Sequence, residues 1–152
     1  MKTIVWSGDI DDGLVSLVYK GGWSKLVLCS EGGDIYAARA ICDYLGRVER
    51  HVVVTGKCFS SATAVAVAAT SCVATPGCRF LLHTPSALGV EGGSKVLKNE
   101  THELDVWLTW YKDLLCERTK LSREDWTDLL EAETYMSATA ALDAGLVDGI
   151  LQ

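Results

Sequence analysis

No run of basic residues with interleaved aromatics occurs in this 152-residue chain, and the net charge of −6 with a pI near 5.0 points the other way. A polyanionic partner asks for the opposite balance, so nucleic acid and anionic membrane surfaces are excluded as partners. Neither a CxxC pair nor a histidine at zinc-ligand spacing accompanies the six cysteines, Cys29, Cys42, Cys58, Cys72, Cys78 and Cys116. No metal and no other cofactor is therefore expected. The phosphate-binding patterns GxGxxG and GxxxxGK are missing too, and Glu31 and Asp34 flank the one glycine pair that resembles them. Low-complexity stretches, internal linkers and repeats beyond an α/β alternation are also lacking. The apolar part of the start, MKTIVWSGDIDDG, is too short for a signal-peptide core, which makes the cytoplasm the expected location. There, the thiols stay reduced and serve as small apolar fillers. Cys58 lies close to Ser60 and also fits the lining of a site, although the core reading is the stronger.

Charge is absent from residues 58–78, a length that raises the question of a membrane span. Ser, Thr and Ala dominate there and Pro76-Gly77 ends the run, so a buried helix followed by a turn is the better reading. Hydrophobic residues make up 49% of the chain, enough for a core in one domain covering 1–152. Strands are expected at 3–6, 25–29, 52–55, 79–82 and near 148–150. Helices are expected at 11–20, 35–46, from about 59 onward, at about 94–120, at 123–131 and from Ser137 to Ala144. Gly21-Gly22 and Gly145 close two of these helices, and Ser122 and Ser137 read as caps. Strand, glycine turn and helix recur in that order, which implies an α/β fold with parallel strands. In the 94–120 helix a polar first half precedes an apolar second half, after a glycine-bearing link at 89–93. That pattern suits a helix that projects from the body or packs on another copy.

The chemistry gathers between 51 and 86. The run VVVT at 52–55 reads as a buried strand that Gly56 breaks, and an Ala-rich helix follows. Ser60 and Ser61 thus fall at a strand-to-helix turn, beside free helix amides able to stabilise an oxyanion. His83 directly follows the strand at 79–82. A serine at one strand end and a histidine at another are two parts of a nucleophilic site, although a cap and a structural histidine would leave the same trace. Gly32 and Gly33 supply bare amides that can approach a substrate closely, or a turn that merely asks for positive φ.

Four segments, SEGGDIYAARAI, GKCFSSATA, RFLLHTPS and ETYMSATAALDAGLVDGI, together resemble the proteolytic subunit family of the Clp protease, in the short ClpP-like form typical of phage-encoded relatives. The resemblance implies a crotonase/ClpP-like fold of repeated β-β-α units with a protruding handle helix, which is the 94–120 segment. It also implies a serine endopeptidase acting on peptide or protein substrates inside a homo-oligomeric ring. Carried over residue by residue, the nucleophile is Ser60, four positions after Gly56, and the general base is His83 in a His-x-Pro setting. The backbone amides of Gly33 and Ser61 form the oxyanion hole. The acid is Glu133, where the family usually has aspartate, and Glu31 stands where the family commonly has proline. The amino-terminal part is shorter than in the housekeeping enzyme, so docking to a Clp-type ATPase does not carry over automatically. Two other readings share the pattern: a ring subunit without turnover, and a crotonase-fold acyl-CoA enzyme whose paired amides hold a thioester enolate.

Overall fold

A computed structural model describes residues 1–85 and 93–152. The chain opens with β1 (Lys2–Ser7), α1 (Asp12–Tyr19), β2 (Trp23–Ser30), α2 (Ile35–Leu45), β3 (His51–Phe59) and α3 (Ser61–Ala68). Two short strands follow, β4 (Ser71–Ala74) and β5 (Arg79–Leu82), and then the helices α4 (Ser94–Arg118) and α5 (Arg123–Glu131). The chain closes with β6 (Thr134–Ser137), α6 (Ala138–Ala144) and β7 (Gly149–Ile150). The architecture is α/β with a largely parallel sheet, as expected. Among the described residues no helix is long and apolar enough to cross a membrane.

Strands β1, β2, β3, β4 and β7 lie side by side in that order, all parallel. In β2 and β3 the β-branched and leucine positions alternate across the sheet, so Leu26, Leu28, Val52 and Val54 are buried. Helix α3 is buried at all eight positions, and the helix can lie deep in the fold because Ala and Val dominate it. Helix starts follow local chemistry. The side chains of Asp11, Asp34, Ser122 and Ser137 each accept a backbone N–H of the first turn, and Gly145 ends α6 at φ 85°.

Two expectations are corrected. Gly56 does not break the strand: β3 continues through it to Phe59. At φ 61° Gly56 bends the strand, and an ideal Cβ there would lie 3.1 Å from the Cys29 Sγ. Across the bend the neighbour changes. Residues His51 to Val54 pair with β4, whereas Lys57 to Phe59 pair with β5. The second correction concerns the uncharged run, which holds β4 after α3 rather than helix and turn alone. β5 in turn pairs antiparallel with β6, so it bridges β3 to the end of the chain.

Helix α4 has two characters. Trp107, Tyr111 and Leu115, spaced four apart on one face, are buried, while Val96, Leu97 and Val106 of the outer half are exposed. The first half of the helix is thus largely exposed, and the buried face belongs to the second half. Of the glycine-bearing link expected at 89–93, only Gly93 falls within the described residues, where it precedes α4.

Candidate active site

Beyond its bend, β3 carries Lys57, Cys58 and Phe59 against β5, and Ser60 follows directly. The Ser60 amide donates to the Leu81 carbonyl at 2.8 Å, which ties the turn to a point two residues before His83. Ser60 takes φ 56° and ψ −128°, a conformation glycine prefers. Holding a non-glycine residue there costs about 1–3 kcal/mol, and such strain concentrates at functional turns. A serine on a strained strand-to-helix turn presents its hydroxyl outward from the sheet end. The capping alternative fails on geometry. Ser60 makes no side-chain cap bond, whereas the four capping residues above all do so from extended backbone.

Only one other described non-glycine residue has positive φ, and it is Glu133, at 53°. The β5–β6 ladder explains where it sits. Its last registered pair is Leu82 opposite Thr134, and one step further out stand His83 and Glu133. Ser60 and His83 are half-buried and Glu133 is exposed. The serine, the histidine and the glutamate thus stand just beyond paired ends of three neighbouring strands, β3, β5 and β6. Ion pairs among the described residues join Arg39 to Asp43, Lys57 to Glu31 and Arg123 to Asp113, and none joins His83 to Glu133. In a substrate-free enzyme such bonds are often long and tighten with substrate.

The glycine pair has two distinct tasks. At Gly32, with φ 99°, an added Cβ would meet the Phe59 carbonyl oxygen and the Ser60 Cβ, each at 2.9 Å, and the Ser61 nitrogen at 3.3 Å. The turn thus lies directly on the serine turn, and only glycine fits between them. At Gly33, with φ 149°, an added Cβ would lie 2.5 Å from the Ile10 carbonyl oxygen. The backbone there is strapped on both sides, since Ile10 donates to the Gly32 carbonyl at 2.8 Å and Asp34 donates to the Ile10 carbonyl at 3.0 Å.

The strap has a directional consequence. A trans peptide holds its C=O and the next N–H antiparallel. Anchoring the Gly32 carbonyl on Ile10 therefore turns the Gly33 N–H the opposite way. The same holds for the next pair. The Ser60 carbonyl accepts both the Thr63 amide at 3.0 Å and the Thr63 hydroxyl at 2.6 Å, which orients the Ser61 N–H away from Thr63. Neither the Gly33 nor the Ser61 amide donates to any described residue. Two oriented, unpaired amides beside a serine are what an oxyanion requires. Sequence reasoning missed Gly32 as the spacer and Thr63 as the anchor. The adjacent glycines hinted at the first, but nothing local marked the second.

Charge at the rim comes from Glu31 and Lys57, paired at 2.9 Å. The hydrogen bond and charge of Lys57 hold the Glu31 carboxyl below its ordinary range, and the hydrogen bond and charge of Glu31 raise the Lys57 ammonium. This pair links the residue before Gly32 to β3 beyond the bend. Cys58, fully buried, has its thiol pushed well up by burial and is core rather than lining. Phe59 and Tyr135 meet edge to face at 5.8 Å across the same sheet edge.

The family model described as Clp protease matches residues 24–152. The ATP-dependent Clp protease proteolytic subunit 1 of Chlamydia muridarum is 30% identical over 138 residues, spanning 82% of this chain and 68% of that protein. The corresponding subunit 1 of Chlamydia abortus is 32% identical over the same spans. Proteolytic subunit 2 of Leifsonia xyli is 29% identical over 128 residues, which cover 80% of this chain and 57% of that protein.

Proposed function

The chain belongs to the Clp protease family, and from that membership we propose that it is a serine endopeptidase that works through Ser60, His83 and Glu133. The observation that carries the reading is Ser60 itself. It is a strained, non-capping serine at a strand-to-helix turn, tied through its amide to the strand that leads into His83.

In this mechanism His83 takes the proton of Ser60 Oγ as the hydroxyl attacks the scissile carbonyl carbon. The negative charge that develops on the carbonyl oxygen is held by the Gly33 and Ser61 amides, already oriented by their anchored carbonyls. His83 then passes its proton to the leaving amine as the C–N bond breaks, which leaves an acyl-Ser60. Water, deprotonated by the same imidazole, releases the acid and restores the hydroxyl. Glu133 holds the imidazole in the tautomer that can accept from serine. The substrates are peptides or unfolded protein segments, and copies of the chain assemble into a ring around a chamber. The relatives are subunits of ATP-dependent proteases; for this chain, pairing with a Clp-type ATPase is part of the proposal that assembly assays address.

A second reading, a ring subunit without turnover, is favoured by one observation: no ion pair joins His83 and Glu133. A fluorophosphonate probe decides between them. Labelling that maps to Ser60 and vanishes in Ser60→Ala supports the peptidase. Equal labelling of both proteins, or none of either, refutes it. Native mass on the same sample reports the ring, and a monomer at micromolar concentration counts against assembly.

A further inference from the structure

The geometry points to Tyr111 of α4, acting through Thr63, as a positioning residue for the oxyanion amide of Ser61. The inference rests on the reading of Ser60 as nucleophile. Thr63 Oγ1 lies 2.6 Å from the Ser60 carbonyl oxygen and also bonds the Tyr111 hydroxyl. A carbonyl oxygen can only accept, and a threonine hydroxyl has a single proton. The Thr63 proton therefore goes to the Ser60 carbonyl, and the Tyr111 O–H donates to Thr63 Oγ1. The order is unambiguous: phenol to threonine to carbonyl.

Each member is held by its surroundings. Tyr111 is 1% exposed and Thr63 is 1% exposed, so no bulk water competes for these bonds. Burial pushes the phenol well above its ordinary range, so it stays a donor at any pH at which the protein works. One helical turn earlier on the same face, Trp107 donates its ring N–H to the Ile35 carbonyl at 3.0 Å, and its ring packs 5.0 Å from that of Tyr111. Ile35 lies two residues after Gly33, so the buried root of α4 is fastened next to both turns that carry the amides. Peptide planarity then converts an anchored Ser60 carbonyl into a fixed Ser61 N–H. Donation by the phenol also polarises the Thr63 hydroxyl and strengthens its grip on that carbonyl.

The test uses the full chain in its native assembly, with kcat expressed per Ser60 site titrated by fluorophosphonate. The variants are Tyr111→Phe, Thr63→Val, Thr63→Ser and the double Tyr111→Phe/Thr63→Val. Loss of a whole oxyanion donor costs on the order of 10²–10³ in kcat, so mis-aiming one should cost less: about 3–10-fold for Tyr111→Phe and about 10–100-fold for Thr63→Val. KM should stay unchanged. The affinity of a peptide aldehyde, which forms a tetrahedral adduct on the serine, should fall by the same factor as kcat. Because the phenol acts only through the threonine hydroxyl, the double variant should be no worse than Thr63→Val. Thr63→Ser, which keeps the hydroxyl, should recover most of the rate.

Wild-type kcat and aldehyde affinity in both Tyr111→Phe and Thr63→Val overturn the inference while leaving the peptidase intact. So does a loss of activity matched by a loss of titratable sites, because surviving sites at full rate indicate a purely structural role. If Tyr111→Phe does not fold, the contrast between Thr63→Val and Thr63→Ser carries the decision. If the wild type is not labelled at Ser60, the parent reading falls and the inference falls with it.

Discussion

Gly32→Ala probes the point where the two turns touch. An alanine Cβ would sit 2.9 Å from the Phe59 carbonyl oxygen, 2.9 Å from the Ser60 Cβ and 3.3 Å from the Ser61 nitrogen. Two of those three atoms are backbone and the third is rigidly attached to it, so no side-chain rotation relieves the crowding. The backbone term comes from φ 99°, which for an L-residue costs about 1–3 kcal/mol. Forcing a methyl group into filled space costs about 1–3 kcal/mol more. A total of about 2–6 kcal/mol corresponds to a fall in Tm of roughly 5–20 °C for a chain of this size. Function should suffer further, since the turns part at the atoms that aim the hydroxyl and the amide. A 1 Å displacement at such a site can cost about 10²-fold in rate. Scanning calorimetry with fluorophosphonate labelling measures both effects. The control is Gly77→Ala, where nothing lies within 4 Å and φ is not positive, and it should behave as wild type. A Gly32→Ala protein within 2 °C of wild type (a shift of about 1 kcal/mol or less) and labelled at the normal rate would refute the close-approach argument.

Other expectations follow from the same geometry. Ser60→Gly removes the nucleophile but relieves the strained φ, so it should raise the Tm by a few degrees, about 1 kcal/mol, while abolishing labelling. Glu133→Gln should lower peptidase turnover by up to about 10⁴-fold, the loss seen when a triad carboxylate is neutralised. Glu131→Gln should be nearly silent because Glu131 is the exposed last residue of α5, and a damaging Glu131→Gln would move the acid by two positions. Stability should fall as pH rises above about 9, near the ordinary thiol value of 9.0. Burial raises the thiols of Cys42, Cys58 and Cys72 in the folded protein, so their stabilising contribution is present below the unfolded value and is lost above it. Each such thiol changes the slope by about 1.4 kcal/mol per pH unit, and urea midpoints at pH 8 and pH 10 measure it. Equal midpoints would contradict the burial argument. Glu31→Gln should leave the Tm within about 1–2 °C of wild type, because an exposed ion pair contributes little.

What local chemistry encodes was legible in the chain itself. Ser122, Ser137 and Gly145 bound their helices as read, because a cap bond or a left-handed terminus involves residues only a few positions apart. The VVVT run, the alanine-rich helix and the strand before His83 likewise stand where period and propensity put them. Ser60 and His83 could be singled out because each sits at the junction of two such local signals. Long-range partnership decided the rest. β3 runs past Gly56 only because β5 offers Lys57, Cys58 and Phe59 a second neighbour, and β4 is a strand because β3 and β7 flank it. Its residues, Ser71 to Ala74, lie inside an uncharged run dominated by Ser, Thr and Ala, and nothing local sets them apart from the helix before them. The same dependence governs the site. The family likeness could name Glu133, but its place one step from His83 comes from the β5–β6 register, and its positive φ from ending α5 just after the cap residue Ala132. Gly32 against Ser60, and Tyr111 reaching Thr63 across 48 positions, leave no trace in sequence. Close approach and a buried hydrogen bond are properties of packed surfaces, and these surfaces meet only once the helices lie on the sheet.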